Sequence, residues 1–295
     1  MALIHVIPYF RDASLSLAEI DLKTLQHYID AKAQNGKLDG SGGLSLTSLR
    51  HIRNVLSQSL KLAMCDGCIS KDPCNGLTLP KMQRREMTYY NLEQAGVLLD
   101  AIRDEPLYPL IYFGVMYGLR RSELLGLQWD CIDFDASTFT VKRTVVQKKT
   151  ITAKDKTKNA SSRRTLPLTP QTLKMLLRMK KQERENRLLF GDDYHESQYI
   201  FKWPDGRPYL PRYVSSKFSK LLEQHGLPHI RFHDLRHSCA CMLISNGFTL
   251  KDIQDWLGHA NIAMTADVYG HLDMTRKTKM AESMASVFSE PIGRI

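Results

Sequence analysis

Nowhere in the 295 residues does an apolar run approach the roughly 18 residues that a membrane-spanning helix needs. The opening, MALIHVIPYF, is apolar but short. It has neither a basic leader nor a small-residue cleavage site, so no secretory signal is expected. No internal repeat and no low-complexity tract interrupts the chain. With 43% hydrophobic and 24% charged residues, disorder, a collagen-like rod and a disulfide mini-scaffold are all excluded. Only six cysteines occur: Cys65, Cys68, Cys74, Cys131, Cys239 and Cys241. Cys65-x-x-Cys68 lacks a second such pair, or a histidine pair, at metal-site spacing, and no thioredoxin-like strand precedes it. Reduced thiols and no metal are expected, in a cytoplasmic chain.

Charge, by contrast, is plentiful and one-sided. Lys and Arg number 41 against 31 Asp and Glu, a formal net charge of +10. Residues 1–80 are nearly balanced, but 142–164 hold Lys142, Arg143, Lys148, Lys149, Lys154, Lys156, Lys158, Arg163 and Arg164 against Asp155 alone. A block of this kind faces a polyanion more often than it merely decorates a surface.

At roughly 150 residues per domain, the length suggests two domains. Three- and four-residue apolar spacing predicts helices over 15–34 (Leu17, Ile20, Leu25, Tyr28, Ile29) and over 45–63 (Leu49, Ile52, Leu56, Leu60, Ala63). Pro73, Gly76 and Pro80 mark an exit, and 81–87 read as a linker, dividing the chain into 1–83 and 84–295. Asn91 should cap the next helix, Pro109–Tyr117 should be a buried one ended by Gly118, and Glu123–Leu127 should follow from Ser122. Alternation over 138–146 predicts a strand, with 163–168 returning beside it, so that the basic block forms a hairpin and its loop. Helices are expected over 170–189, 211–225, 233–246, 249–257 and 261–269, then an amphipathic tail bearing Met280, Met284, Val287 and Phe288.

One set of residues suits phosphodiester chemistry: Arg120, His233, Arg236, His259 and Tyr269. Two planar guanidinium forks can grip non-bridging oxygens and neutralise charge growing on a pentacoordinate phosphorus. A tyrosine, with an ordinary pKa of about 10, attacks only when a cationic cluster or a base activates it. Lys156 could protonate the departing 5′ oxygen. Singly, each residue has an ordinary reading: a surface arginine, a packed histidine, a core tyrosine.

The set taken together, however, resembles a known pattern. GLRRSELLGLQW, HDLRHSCACMLISNG, IQDWLGHANIAMTADVYGHL and the intervening KTKNASSRRTLPL are similar to the catalytic motifs of tyrosine recombinases, in particular integrases of temperate phages and conjugative transposons. The resemblance covers essentially residues 4–290. It implies a mainly helical chain with a small β-sheet: an all-helical, SAM-like core-binding domain, then an α+β catalytic domain, together clamping duplex DNA. It implies that Arg120 and Arg236 bind the scissile phosphate and that His233 and His259 assist by proton transfer and hydrogen bonding. Tyr269 would attack to leave a 3′-phosphotyrosine and a free 5′-hydroxyl. Bond energy is kept in that ester, so no cofactor, ATP or metal, is called for.

The lysine carries over with two candidates, because Asn159-Ala160 is inserted beside it: Lys156, as first of the KTK triplet, or Lys158. Glu123 is expected to orient arginine. Lys142, Arg143, Lys148, Lys149, Lys158, Arg163 and Arg164 are expected to contact DNA, with the basic face of 178–187. The pattern of this subgroup places an arm-binding domain and one further helix before HVIPYF, so the chain is expected to be N-terminally truncated and to expose apolar surface on its first helices. A tail helix that enters a neighbouring protomer implies a homotetramer on synapsed DNA, at the nucleoid, aided by an excisionase or a host DNA-bending protein. Two rivals stand beside site-specific recombination: a strand-relaxing enzyme like type IB topoisomerases, and a DNA-binding remnant that no longer recombines.

Overall fold

The computed structural model describes residues 2–13, 15–81, 88–147, 151–154 and 163–259. The chain divides into two compact units, Met1–Glu86 and Met87–Ile295. It is mainly helical with a small sheet, and among the described residues no helix is long and apolar enough to cross a membrane.

The first unit is entirely helical: a π-helical turn Ala2–Val6, α1 (Ile7–Asp12), a 3-10 turn Leu17–Glu19, α2 (Leu22–Asn35) and α3 (Leu46–Cys65). The helix expected from residue 15 begins only at Leu22. Asp21 accepts the Thr24 amide at 2.7 Å and so fixes the start. Leu17 is therefore exposed, while Leu25, Tyr28 and Ile29 meet Leu49, Ile52, Leu56 and Leu60 in the core. Apolar periodicity gave no element to residues 2–12, yet they are helical. Tyr9 and Phe10 lie 4.5 and 5.1 Å from the Tyr28 ring, and the Tyr28 hydroxyl donates to the His5 carbonyl at 2.8 Å.

The second unit runs α4 (Leu92–Ala101), α5 (Tyr108–Tyr117), α6 (Arg121–Leu124), a 3-10 turn, strands β1 (Ile132–Asp133), β2 (Thr138–Val141), β3 (Thr144–Gln147), β4 (Ile151–Lys154) and β5 (Arg164–Pro167), then α7 (Pro170–Phe190), α8 (Pro211–Gln224), α9 (Asp234–Ser245) and α10 (Leu250–Leu257). Asn91 caps α4 by accepting the Gln94 amide. Helix α5 is apolar on every side and buried. Its Phe113 and Tyr117 meet Phe139 of β2 edge-on, at 5.7 and 4.9 Å, each ring adding roughly 1.5–3 kcal/mol by burial.

The single strand expected over 138–146 is two. Strand β2 pairs antiparallel with β1 and with β5, Val141 opposite Arg164, whereas β3 pairs with β4 in a separate hairpin. The break falls at Lys142 and Arg143, and both side chains turn to Asp130: the lysine to its carbonyl at 2.8 Å, the arginine to its carboxylate at 2.7 and 2.8 Å. Gly126 allows the break, because a Cβ there would stand 2.7 Å from the Arg143 carbonyl oxygen. The expected helix 261–269 and the tail lie outside the described residues, as does nearly all of the 81–87 linker.

Candidate active site

Three loops converge where α5, α9 and α10 end or begin. Gly118 closes α5 in the left-handed region, at φ 60°, and its carbonyl accepts from Arg236 Nη1 at 2.8 Å. Arg236 stands on the first turn of α9, 3% exposed. Its Nη2 donates to the Leu257 carbonyl at 2.7 Å and its Nε to His259 Nε2 at 3.2 Å. Arg120 sits one residue before α6, and Glu123, 1% exposed, accepts both its backbone N–H at 3.0 Å and its Nη1 at 2.6 Å. This reciprocal cap starts α6 at Arg121 rather than Ser122. Arg120 Nη2 reaches the Gly258 carbonyl at 3.4 Å.

The C-terminus of α10 thus spends its orphan carbonyls on arginine. Trp256, Leu257 and Gly258 accept from Arg164, Arg236 and Arg120 in turn, and the negative end of the helix favours those cations. Among the described residues Glu123 is the one carboxylate between them, 3.1 Å from Arg164 Nη2 and 3.9 Å from Arg236 Nη1. Burial would raise its pKa, but Arg164, then Arg120 and Arg236, outweigh that and hold it below the usual carboxylate range. Three guanidinium groups against one carboxylate leave two positive charges in excess. A phosphodiester passing through a doubly charged pentacoordinate state is the anion such an excess suits.

Burial and neighbouring charge push both site histidines toward the neutral form. Burial, then the charges of Arg236 and Arg120, push His259 down to about 3. Because its Nε2 accepts from Arg236, its proton is assigned to Nδ1. Enclosure, then His237 and Arg236, lower His233 as well, and its ring meets His237 edge-on at 5.5 Å. Arg120 and His233 open onto a cleft of about 950 Å³.

Sequence reasoning missed part of this cleft. Arg121, Arg212, His229 and Arg231 line it, with Arg121 bonded to Ser215 and Arg231 to Asp234. They are scattered singly along the chain and form no basic block. Other expectations change. Lys142 and Arg143 are tied to Asp130, and Arg164, expected on DNA, is buried inside the site at 9% exposure and bonded to Glu123 and Trp256. Arg163 is exposed. On α7, Lys181 and Arg187 pair with Glu185 and Glu196, and Lys180 lies 4.9 Å over the Phe134 ring. Lys148, Lys149, Lys156, Lys158 and Tyr269 lie outside the described residues. Cys65 and Cys68 are exposed and the other four thiols buried, with burial raising Cys239 to about 12 and Cys241 to about 11.

A site of this kind, three guanidinium groups around one carboxylate beside two histidines, suits an anionic ester such as a phosphodiester. Residues 90–276 match the model of the phage integrase family. The chain is 29% identical to a tyrosine recombinase XerC-like protein of Caldanaerobacter subterraneus subsp. tengcongensis, over 96% of this chain and 76% of that one. It is also 29% identical to the ICEBs1 integrase of Bacillus subtilis, over 82% of this chain and 66% of that one. Among solved structures it shares the fold of the Tn1549 transposon integrase in complex with circular intermediate DNA, with a TM-score of 0.74 and 19% identity over 94% of this chain and 90% of that one.

The chain belongs to the phage integrase family of tyrosine recombinases. It is a DNA breaking-and-rejoining enzyme for site-specific recombination, which sets aside the topoisomerase-like and binding-remnant readings.

Proposed function

We propose that the chain integrates or excises a mobile element, cleaving each strand with Tyr269. The observation that carries this is the cage of carbonyls and one carboxylate that holds Arg120 and Arg236 against the same Glu123 and the same end of α10. Arg236 uses three of its five N–H groups internally, so donors remain on both terminal nitrogens for phosphate oxygens. Arg120 adds a second fork from the cleft side, and His259 stands beside Arg236 as a further hydrogen-bonding group.

Tyr269 follows His259 by ten residues, a stretch able to span up to roughly 35 Å. Its phenolic oxygen forms the new bond to phosphorus. The phenolic proton passes to neutral His233, the P–O5′ bond breaks, and Lys156 gives that oxygen its proton, with Lys158 as the alternative donor. Attack by the 5′-hydroxyl of a partner strand reverses each step.

Duplex DNA is held by the cleft cations Arg121, Arg212 and Arg231 together with Lys148, Lys149 and Arg163. Residues 1–83 serve core-site binding and 84–295 the chemistry. Four copies assemble on synapsed DNA at the nucleoid, in the cytoplasm. The stripe Met280, Met284, Val287 and Phe288 of one copy docks on the apolar groove of about 630 Å³ between α4, α5, α9 and α10 of the next. An excisionase or host DNA-bending protein sets the direction. Deleting 275–295 should leave cleavage but abolish the four-copy complex; cooperative assembly without the tail would refute the docking.

The test of the chemistry is covalent capture. A pool of nicked duplexes of randomised sequence is incubated with the enzyme and denatured. Protein-linked DNA is expected for the parent and none for Tyr269→Phe; an adduct that survives in the phenylalanine variant, or none in the parent, overturns the reading.

A further inference from the structure

The inner face of β5 breaks the rule for a strand. Arg164, Leu166 and Leu168 share one parity and are all buried, while Thr165 and Pro167 point out. An arginine in such a row costs several kcal/mol of desolvation unless the site answers it. Here two of its three nitrogens are answered, and Nη1 is buried without a partner among the described residues. Nη2 donates to the Glu123 carboxylate at 3.1 Å, and Nε donates to the Trp256 carbonyl at 2.7 Å.

The two acceptors belong to different parts of the site. Glu123 is the carboxylate that takes Arg120 through both backbone and side chain. Trp256 is stacked on Tyr117 of α5 at 6.0 Å with ring planes 14° apart, and it opens the carbonyl row whose next two members hold Arg236 and Arg120. Arg164 therefore joins Glu123 to the end of α10, as Arg120 and Arg236 do, but it does so from strand β5.

We propose that Arg164 is a positioning residue of the recombinase: its guanidinium ties the support of Arg120 to the end of the helix that holds Arg236, and so sets the distance between the two phosphate-binding arginines. This rests on the reading of Arg120 and Arg236 as phosphate ligands. A guanidinium suits the task and an ammonium does not, because the two acceptors lie in different directions and need a rigid planar fork. Arg164 does not line the cleft onto which Arg120 and His233 open, so its loss is expected to alter the rate of strand cleavage and to leave DNA affinity as it was.

The probe is a nicked duplex that the parent enzyme captures covalently. Single-turnover adduct formation and equilibrium binding are measured for the parent, Arg164→Lys, Glu123→Gln and the double variant Arg164→Met/Glu123→Gln. Arg164→Lys retains the buried cation, and its thermal melt reports whether it folds. It is expected to form adduct at least tenfold more slowly, with half-saturating DNA within twofold of the parent.

The double variant removes both buried charges at once. It should cleave no more slowly than Glu123→Gln alone, because one residue acts through the other; this comparison holds even where the lysine variant does not fold. Arg164→Lys reacting within twofold of the parent, losing binding as much as rate, or a double variant a further tenfold slower than Glu123→Gln, each overturns the proposal. Absence of adduct in the parent itself would instead overturn the catalytic reading.

Discussion

Among single residues, His259 shows how burial and chemistry meet. Its folded pKa lies near 3, well below the ordinary histidine value of 6.5. As pH falls through 6.5 the unfolded chain takes up a proton that the folded chain refuses, so stability drops with acidity. This group adds no slope above that range. Full uptake costs at most about 1.4 kcal/mol per pH unit, or about 2 kcal/mol between pH 7.5 and pH 5. His5, His233 and His237 are lowered too and add in the same direction. Urea unfolding of parent and His259→Gln at the two pH values checks it: the variant should lose less stability on acidification, and an equal loss in both would remove His259 from the balance. The gathering of Arg120, Glu123, Arg236 and His259 was legible in sequence because their motifs are dense in unusual chemistry, while Lys156 and Tyr269 lie outside the described residues. The burial of Arg164 was not legible, for the opposite reason. The residue sits in a basic block, and the block's average hid that its neighbours of like parity, Leu166 and Leu168, are apolar.

At the level of elements, helix termini do the work that motifs only hint at. Capping residues, apolar stripes and terminal glycines made α3, α4, α5, α8, α9 and α10 readable to within a few positions, since those signals are local. The split of the expected strand at Lys142 was not readable, because it depends on Asp130 and Gly126, which fold against it from another element. Gly118 carries the strongest element-level prediction. A Cβ there would stand 2.4 Å from Leu257 Cδ2 and 3.1 Å from Cys239 Sγ, on a backbone already at φ 60°. Left-handed strain adds roughly 1 kcal/mol and overpacking roughly 1–3. Gly118→Ala should therefore lower unfolding free energy by about 2–4 kcal/mol with an unchanged urea slope. It should slow adduct formation as well, since the Gly118 carbonyl holds Arg236. A variant as stable as the parent would mean that α10 yields freely, against the packing described.

For the whole molecule, the net charge of +10 separates into two populations with different tasks, and salt tells them apart. Cations that neutralise DNA phosphates release counterions, and each contributes close to 0.9 to the slope of log affinity against log salt. Cations that meet no phosphate contribute nothing. Arg212 lines the cleft and Arg163 is exposed, whereas Arg164, 9% exposed, is committed to Glu123 and Trp256. Binding of the captured duplex, titrated across a range of salt, should weaken steeply for the parent. Arg212→Ala and Arg163→Ala should each flatten the slope by about 0.9, while Arg164→Lys should lie parallel to the parent. The reverse pattern, a flattened line for Arg164→Lys and parallel lines for the other two, would place the buried arginine on DNA and return the basic block to the single role that its sequence suggests.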